Sequence, residues 1–257
     1  IHKGEVYCPL IKLRDMGFGQ SEGALLHSPD LLTVSDPAKA AWHTWPEGDV
    51  GLRTPPGGGT VAEEQSVAPL SDGSFHCIYR TRDGHPACAY SRDGGRTWSV
   101  PAYAAFADGR RIKTPRAACF AWRCANGKFL LWFHHNGGRS WDWRNPAWLA
   151  GGVEADGPEG RVIRWSQPEI VLYDDDPFVR ISYPDLIEDG GRYFITETQK
   201  NLGRVHEVSR ELVEGLWGQF ESAGRVAGEK LVSFADEAGL TGERPMPPLP
   251  AFCVRDS

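Results

Sequence analysis

Four side chains of the sequence belong to types that could do chemistry on an acidic ligand. Glu64, Arg80, Arg144 and Tyr183 each lie near the start or end of a predicted inner strand, with Arg144 and Tyr183 at strand starts. An arginine guanidinium binds a carboxylate through two parallel hydrogen bonds. A tyrosine hydroxyl becomes a nucleophile when a neighbouring carboxylate takes its proton. The set is suited to binding and attacking an acidic ligand. The open alternatives are solvated edge charges, a surface salt bridge and a core tyrosine.

The elements that must position these side chains are short antiparallel strands. Between residues 64 and 101, alternating β-rich segments are separated by the turns Ser71–Gly73, Asp83–Gly84 and Asp93–Gly95. Four strands joined in this way make up one blade of a β-propeller. Inner strands of successive blades converge on one channel, so side chains far apart in the sequence can share a pocket there.

The four-strand layout recurs along the chain. AACFAW, KFLLWFHH, NPAWLAGG and RVIRWSQPEIVLY form a second copy, SYPDLIED, GRYFITETQ and GRVHEVS a third, and an incomplete copy that includes VYCPLIKL comes first. The tryptophans predicted to occupy equivalent last strands are Trp45, Trp98, Trp165 and Trp217. A period of about 40 to 50 residues with inserted loops favours a propeller over a sandwich.

We therefore predict an all-β fold, an incomplete propeller of about three to four blades over residues 1–245. The proline-rich stretch 246–257 is expected to be a linker or the start of a further domain, and a capping tail on the last blade is the alternative. Ile1–Glu5 contains neither an initiator methionine nor a signal peptide. We expect the sequence to start inside a longer protein, and export to the periplasm or the medium stays open.

Composition argues against two classes of partner. The 257 residues carry a net charge of −6 and the longest basic cluster is the short GRRIK segment, so nucleic acid is not a predicted partner. No run approaches the roughly 18 apolar residues of a membrane span. The six cysteines form no CxxC pair and the histidines show no metal spacing, so we predict neither a metal nor another cofactor. The cysteines are expected to be mostly buried thiols.

One motif points to a family. The stretch SRDGGRTW matches S-x-D-x-G-x-T-W through Ser91, Asp93, Gly95, Thr97 and Trp98. An aspartate can accept backbone N–H groups in such a turn, a glycine can take positive φ, and a tryptophan can pack between blades. The match resembles the Asp-box, or BNR repeat, of the sialidase (neuraminidase) superfamily. The resemblance covers about residues 1 to 220 and implies the later blades of a six-bladed sialidase propeller, with the Asp-box as a structural fastener.

The resemblance also implies roles for other residues. EEQSVAPLSDGSFHCIYR is similar to a family segment in which Glu64 is the base for the nucleophile and Arg80 binds the substrate carboxylate. Arg144 is similar in placement to the last of three carboxylate-binding arginines. ISYPDLIEDGGRYFITETQK resembles the nucleophile strand, with Tyr183 as nucleophile and Glu197 orienting the first arginine.

Several assignments have competitors in the sequence. Alternation along a strand implies that only one of Glu63 and Glu64 faces the site. Arg139 competes with Arg144. Three nearby tryptophans form either a sugar-stacking wall or packing between blades, and the segment His134–Asn136 either contacts substrate or is loop polarity. The tryptophans are Trp141, Trp143 and Trp148.

The resemblance implies a retaining exo-glycosidase that removes a terminal acidic sugar from a glycan. The family's first arginine and its aspartate acid/base have no counterpart before Glu64, so this stretch by itself is expected to be inactive. Another acidic or sulfated sugar is an open alternative for the substrate. A non-catalytic Asp-box propeller that binds carbohydrate or protein is the alternative function, because that scaffold needs the Asp-box alone.

Overall fold

The computed structural model describes residues 1–13, 19–138, 140–199 and 201–226. The chain divides into two compact units, Ile1–Phe220 and Glu221–Ser257. Strands make up 46% of the structure and helix 7%, which confirms the predicted all-β class. The expected boundary near residue 245 and the proline-rich segment after it lie outside the described residues. No helix in the described ranges is long and apolar enough to cross a membrane.

The strands follow one another with one long helix at the end. Their bounds are β1 Val6–Leu13, β2 Ser21–Ser28, β3 His43–Trp45, β4 Glu63–Pro69, β5 Phe75–Arg80, β6 Ala87–Ser91, β7 Ala102–Tyr103, β8 Phe120–Arg123, β9 Phe129–Phe133, β10 Ala147–Gly157, β11 Gly160–Trp165, β12 Glu169–Leu172, β13 Ser182–Asp189, β14 Arg192–Gln199 and β15 Leu202–Val208. The helix α1 spans Arg210–Val226.

Consecutive strands pair into antiparallel sheets, four of them in the described part of the chain. These are β1-β2-β3, β4-β5-β6-β7, β8-β9-β10-β11 with β12 also paired to β10, and β13-β14-β15. The first strands of the sheets are neighbours in chain order, since β1 lies beside β4, β4 beside β8, and β8 beside β13. Residues near the start of each first strand are therefore brought toward one another.

The sheets stack through apolar side chains. Between the second and third sheets, the core contains Ile78, Phe133 and Trp165, each at most 2% exposed. Full burial of a side chain of this size contributes about 1.5–3 kcal/mol relative to leaving it in water. This packing fixes the relative position of the sheets that carry the candidate site. The cysteines in the described ranges are free thiols, and Cys8 is exposed among them.

The prediction that Trp217 lies in a last strand is wrong. Trp217 lies in α1, where Val213, Leu216 and Trp217 form a buried stripe at helical spacing. Its indole Nε1 donates to the carbonyl of Phe129 at 2.7 Å. The helix thus covers the core between the third and fourth sheets, where a further strand was predicted.

The Asp-box stretch forms a closed turn. The carboxylate of Asp93 accepts from the Thr97 amide at 2.9 Å and from the Thr97 hydroxyl at 2.6 Å. The Ser91 hydroxyl accepts from the Gly95 amide at 2.7 Å, and the Trp98 indole donates to the Gly95 carbonyl at 3.0 Å. The prediction that Trp98 lies in a last strand is also wrong, because these bonds hold Thr97 and Trp98 in the turn. The next strand, β7, starts only after the turn.

The same turn packs against the preceding sheet. Gly95 has φ +91°, and a Cβ there would lie 2.7 Å from a methyl carbon of Leu25 on β2. The Arg96 guanidinium lies over the Trp45 ring, 4.9 Å from its centroid. The turn therefore links the second sheet to the first and holds no position in the candidate site.

Candidate active site

Glu64 and Tyr183 occupy matching positions on two first strands. Each is the second residue of its strand, and each has a left-handed backbone, with φ of +53° and +49°. Pairing shifts register at both places, between Glu63 and Ser66 on β4 and between Ser182 and Asp185 on β13. A non-glycine residue in this region costs about 1–3 kcal/mol and is concentrated at functional sites. One type of bulge thus orients both side chains.

The two side chains contact each other across the site. The Tyr183 hydroxyl donates to Glu64 Oε1 at 3.3 Å, although the residues are 119 positions apart. Tyr183 is 52% exposed, so a ligand can reach the hydroxyl. On the other side of the carboxylate, Arg80 Nη1 lies 2.7 Å from Glu64 Oε2. The geometry places a phenol next to a carboxylate that an arginine holds in position.

Strand alternation predicts that only one of Glu63 and Glu64 faces the site. This prediction is wrong, because both carboxylates contact Arg80. The bulge interrupts the alternation of side chains that a regular strand would impose. Glu63 is 1% exposed, and its Oε2 accepts from Arg80 Nη2. Its Oε1 accepts from the Ser21 hydroxyl at 3.3 Å. Glu63 is therefore a buried carboxylate that fixes an arginine of the site.

Arg144 lies over the phenol ring. Its guanidinium carbon is 5.6 Å from the centroid of Tyr183, and Arg144 is 7% exposed. Nη1 donates to the Ser182 hydroxyl at 3.0 Å, and Nη2 donates to the Arg116 carbonyl at 3.4 Å. Arg144 lies three positions before the first residue of β10, whereas the sequence analysis predicts it at the start of a strand. Its competitor, Arg139, lies outside the described residues.

Arg116 also belongs to the site, although no sequence motif points to it. It lies in the segment before β8, and its Nη2 is 3.5 Å from Glu63 Oε2. Arg80 contacts the carboxylates of both Glu63 and Glu64, and Arg116 contacts that of Glu63. Arg144 completes the cluster from above the ring of Tyr183, whose hydroxyl bonds to Glu64. With all five groups ionised, one positive charge is left over. The cluster can therefore take one further carboxylate from a ligand.

Glu197 is held by partners in its own sheet. It is 1% exposed, and its Oε1 accepts from Arg204 Nε and lies 3.3 Å from His206 Nε2. The hydrogen bond to Glu197 raises the pKa of the Arg204 guanidinium. The other oxygen of Glu197, Oε2, is buried and has no hydrogen-bond partner among the described residues. Its role in orienting a first arginine stays a prediction.

The histidine pair after β9 divides between core and surface. His134 is 1% exposed, and burial lowers its pKa to about 3, so it is closed to a ligand. His135 is partly buried and lines a cleft together with Asn136. Within the described ranges, no group of three or more histidine, cysteine, aspartate or glutamate side chains is arranged to hold a metal ion.

Comparisons with known proteins give no family and no curated relative, but they do give solved structures. No protein family matches the sequence, and no curated protein matches it. A leech intramolecular trans-sialidase complexed with 2,7-anhydro-Neu5Ac aligns with a TM-score of 0.57 and 18% identity, over 82% of this chain and 30% of that one. An intramolecular trans-sialidase from Ruminococcus gnavus, in complex with oseltamivir carboxylate, aligns with 0.55 and 18%, over 81% and 41%.

A third solved structure agrees with these two. The Trypanosoma rangeli sialidase in complex with 2,3-difluorosialic acid, described as a covalent intermediate, aligns with a TM-score of 0.54 and 14% identity, over 86% of this chain and 32% of that one. This chain thus spans between 30% and 41% of the length of the three proteins. The resemblance inferred from the Asp-box is confirmed at the level of fold: over 81–86% of its length, this chain folds like the three solved sialidase structures.

Proposed function

We propose that this chain carries part of the active site of a sialidase-like glycoside hydrolase, which removes a terminal acidic sugar from a glycan. The observation that carries the proposal is the contact between the Tyr183 hydroxyl and Glu64. A substrate with its own carboxylate repels a carboxylate nucleophile, whereas a neutral phenol approaches without that repulsion. A tyrosine paired with a glutamate is the arrangement that this chemistry requires.

The reaction proceeds in two displacements. Glu64 takes the phenolic proton as the Tyr183 oxygen forms a bond to the anomeric carbon, and the bond from that carbon to the leaving oxygen breaks. The leaving oxygen takes its proton from a further acid, which the resemblance assigns to a segment N-terminal to Glu64. Water then attacks the anomeric carbon and gives a proton to the further acid, which lost one in the first step. The tyrosine oxygen leaves and takes back the proton held by Glu64, and the sugar keeps its configuration.

The arginine cluster binds the carboxylate of the sugar. Arg144 and Arg80 offer planar donors beside the phenol, and Arg116 adds a third guanidinium. Glu63 holds Arg80 and Arg116 while leaving the cluster one positive charge in excess. This excess favours a singly charged acidic sugar over a neutral one.

Replacing the nucleophile tests the proposal. In a longer version of the protein that includes residues upstream of Ile1, Tyr183→Phe is expected to lower turnover of a fluorogenic aryl glycoside of N-acetylneuraminic acid by on the order of a thousandfold or more, because the phenyl ring cannot form the covalent bond. Affinity for the free sugar is expected to stay within about threefold. Tyr173→Phe is the matched control, since Tyr173 is 66% exposed and outside the site.

The alternative function, a non-catalytic Asp-box propeller that binds carbohydrate or protein, rests on the Asp-box turn alone. It gives a different result in the same assay: binding without turnover, and no effect of Tyr183→Phe. The expected inactivity of this stretch by itself is tested by comparing it with a longer version that includes residues upstream of Ile1. Equal turnover by the two would contradict that expectation, whereas affinity can be measured with either.

A further inference from the structure

One guanidinium of the candidate site is shared by two carboxylates. Arg80 Nη2 donates to Glu63 Oε2, while Arg80 Nη1 lies 2.7 Å from Glu64 Oε2. The side chain of Arg80 is 12% exposed, that of Glu64 23% and that of Glu63 1%, so solvent screens these charges little. The charge of Arg80 is therefore divided between Glu64, which contacts Tyr183, and Glu63, which is sealed from solvent.

The two oxygens of Glu64 have different partners. Oε1 accepts the hydrogen bond of the Tyr183 hydroxyl at 3.3 Å, and Oε2 faces Arg80. A proton that leaves the phenol therefore arrives on Oε1, and Oε2 keeps its contact with the guanidinium. The charge changes, however, because a neutral Glu64 no longer compensates Arg80. With Glu64 as its only partner, Arg80 would oppose the proton transfer, since its charge would be left unpaired in a largely buried place.

Glu63 is suited to supply the remaining negative charge. Its Oε1 accepts from the Ser21 hydroxyl at 3.3 Å, and its Oε2 lies 3.5 Å from Arg116 Nη2 in addition to the bond from Arg80. Both oxygens thus face donors, which is the environment of an ionised carboxylate, whose oxygens only accept hydrogen bonds. Glu63 therefore keeps its charge beside Arg80 when Glu64 takes up the phenolic proton.

We propose that Glu63 is a positioning residue of this reaction, which allows Glu64 to act as a base by keeping Arg80 compensated and in place during the proton transfer. Glu63 acts through Arg80 and not on the phenol itself. The role rests on the proposed function, because it requires Tyr183 and Glu64 to exchange a proton. Without the charge of Glu63, the whole charge of Arg80 would act on Glu64, which would make Glu64 a weaker base and the cluster a stronger site for anions.

The other titratable side chains around the pair keep one charge state where carboxylates titrate. Burial raises the pKa of the Cys119 thiol, which interacts with Glu64 and Arg80 from the segment before β8, to about 12. Burial lowers the pKa of His134, which interacts with the arginine cluster, to about 3. The guanidinium groups stay protonated throughout. Between about pH 4 and pH 8, the reactivity of Tyr183 thus reports on the carboxylates.

Covalent trapping by 2,3-difluorosialic acid measures the proton transfer on this chain. The Tyr183 oxygen bonds to the anomeric carbon, its proton passes to Glu64, and fluoride leaves as the anion. Mass spectrometry follows labelling against pH and ligand concentration, which separates affinity from the labelling rate at saturation. For Glu63→Gln we expect this rate to fall about tenfold and to reach half of its plateau about one pH unit lower, with affinity equal or tighter.

Glu154→Gln is the matched control. Its side chain is 9% exposed and pairs with Arg161 at 3.3 Å, but it lies beside the turn that follows β4, at the other end of that strand. The substitution removes the same charge from a similar ion pair, and we expect labelling as in the wild type.

Arg116→Gln tests the same electrostatics with the opposite sign. It removes the second cation at Glu63, so Glu63 compensates Arg80 more fully and Glu64 becomes a stronger base. We expect half of the plateau to be reached at a higher pH than in the wild type, although affinity for the ligand falls. If Glu63→Gln does not fold, the direction of this shift decides, and an unchanged or lower pH overturns the proposal.

The outcomes separate the role of Glu63 from the proposed function. Slower labelling of Glu63→Gln that reaches half of its plateau at a lower pH, with affinity kept, supports the role. If that pH is unchanged, or if slower labelling comes only with weaker affinity, Glu63 is an anchor for Arg80 and nothing more, and the proposed function stands. A wild type that binds the ligand without labelling of Tyr183 refutes the proposed function itself, and the role of Glu63 with it.

Discussion

Acidification is expected to destabilise this fold through histidines buried without charge. His76 is fully buried on β5 between the rings of Tyr90 and Trp165, and its two ring nitrogens have no hydrogen-bond partner among the described residues. Burial lowers the pKa of His76 from 6.5 to about 3. The folded chain thus keeps a neutral imidazole over a pH range in which an unfolded chain takes up a proton.

The sign and size of the effect follow from proton uptake. The folded-state pKa lies below the unfolded value, so the stability contribution is fully present above pH 6.5 and is lost as pH falls toward 3. Within that window the free energy of unfolding falls by up to about 1.4 kcal/mol per pH unit. Between pH 7 and pH 5 the loss from this one histidine is about 2 kcal/mol. His134, whose pKa is also lowered to about 3 by burial, adds a loss of the same sign.

Urea denaturation of His76→Leu at pH 7 and pH 5 isolates this contribution. Leucine cannot be protonated and fits a site where the imidazole makes no hydrogen bond. We compare the free energy of unfolding of the variant with that of the wild type at each pH. From pH 7 to pH 5 this difference is expected to shift in favour of the variant by about 2 kcal/mol. His43→Leu is the control, because the His43 ring is exposed on β3. A difference between His76→Leu and the wild type that is the same at both pH values would refute the reasoning.

Three further substitutions test the packing and the site. Gly95→Ala is expected to lose about 1–3 kcal/mol more stability than Gly109→Ala in thermal denaturation. Both glycines have positive φ, but only at Gly95 would the new Cβ meet a leucine methyl group; equal losses would show that the Asp-box turn does not pack on the first sheet. Trp217→Ala should lower the free energy of unfolding, measured by urea denaturation, by about 3–5 kcal/mol. The reason is that the indole is 2% exposed and donates a buried hydrogen bond. A decrease of less than about 1 kcal/mol would contradict this. Arg116→Ala should weaken binding of N-acetylneuraminic acid about tenfold or more, and exposed Arg82→Ala should not; equal affinities would remove Arg116 from the site.

Much of the strand pattern could be predicted from the sequence, because alternating β-rich runs and Asp-Gly turns are local signals. Two errors have local causes as well. The spacing of Val213, Leu216 and Trp217 is helical, but similarity to earlier tryptophans led to a strand prediction. Thr97 and Trp98 have high strand propensity, yet their hydrogen bonds to Asp93 and Gly95 keep them in a turn.

The candidate site was partly accessible to sequence reasoning. Repeated strand ends were enough to expect Glu64, Arg80, Arg144 and Tyr183 near one another, and the distances join them. The part played by Glu63 depends on a bulge, which inverts the side-chain alternation and has no sequence signature here. Arg116, in turn, lies in a loop whose path is set by packing between sheets.

Covalent trapping tests the central claim most directly. 2,3-Difluorosialic acid carries fluoride at the anomeric carbon, and fluoride leaves without a proton from a general acid, so the test depends on the nucleophile and not on an acid elsewhere. Peptide mass spectrometry after incubation is predicted to find the sugar attached to Tyr183 in the wild type and absent in Glu64→Gln, which cannot take the phenolic proton. Attachment at another residue, or an unmodified Tyr183 in a chain that binds the sugar, would contradict the account.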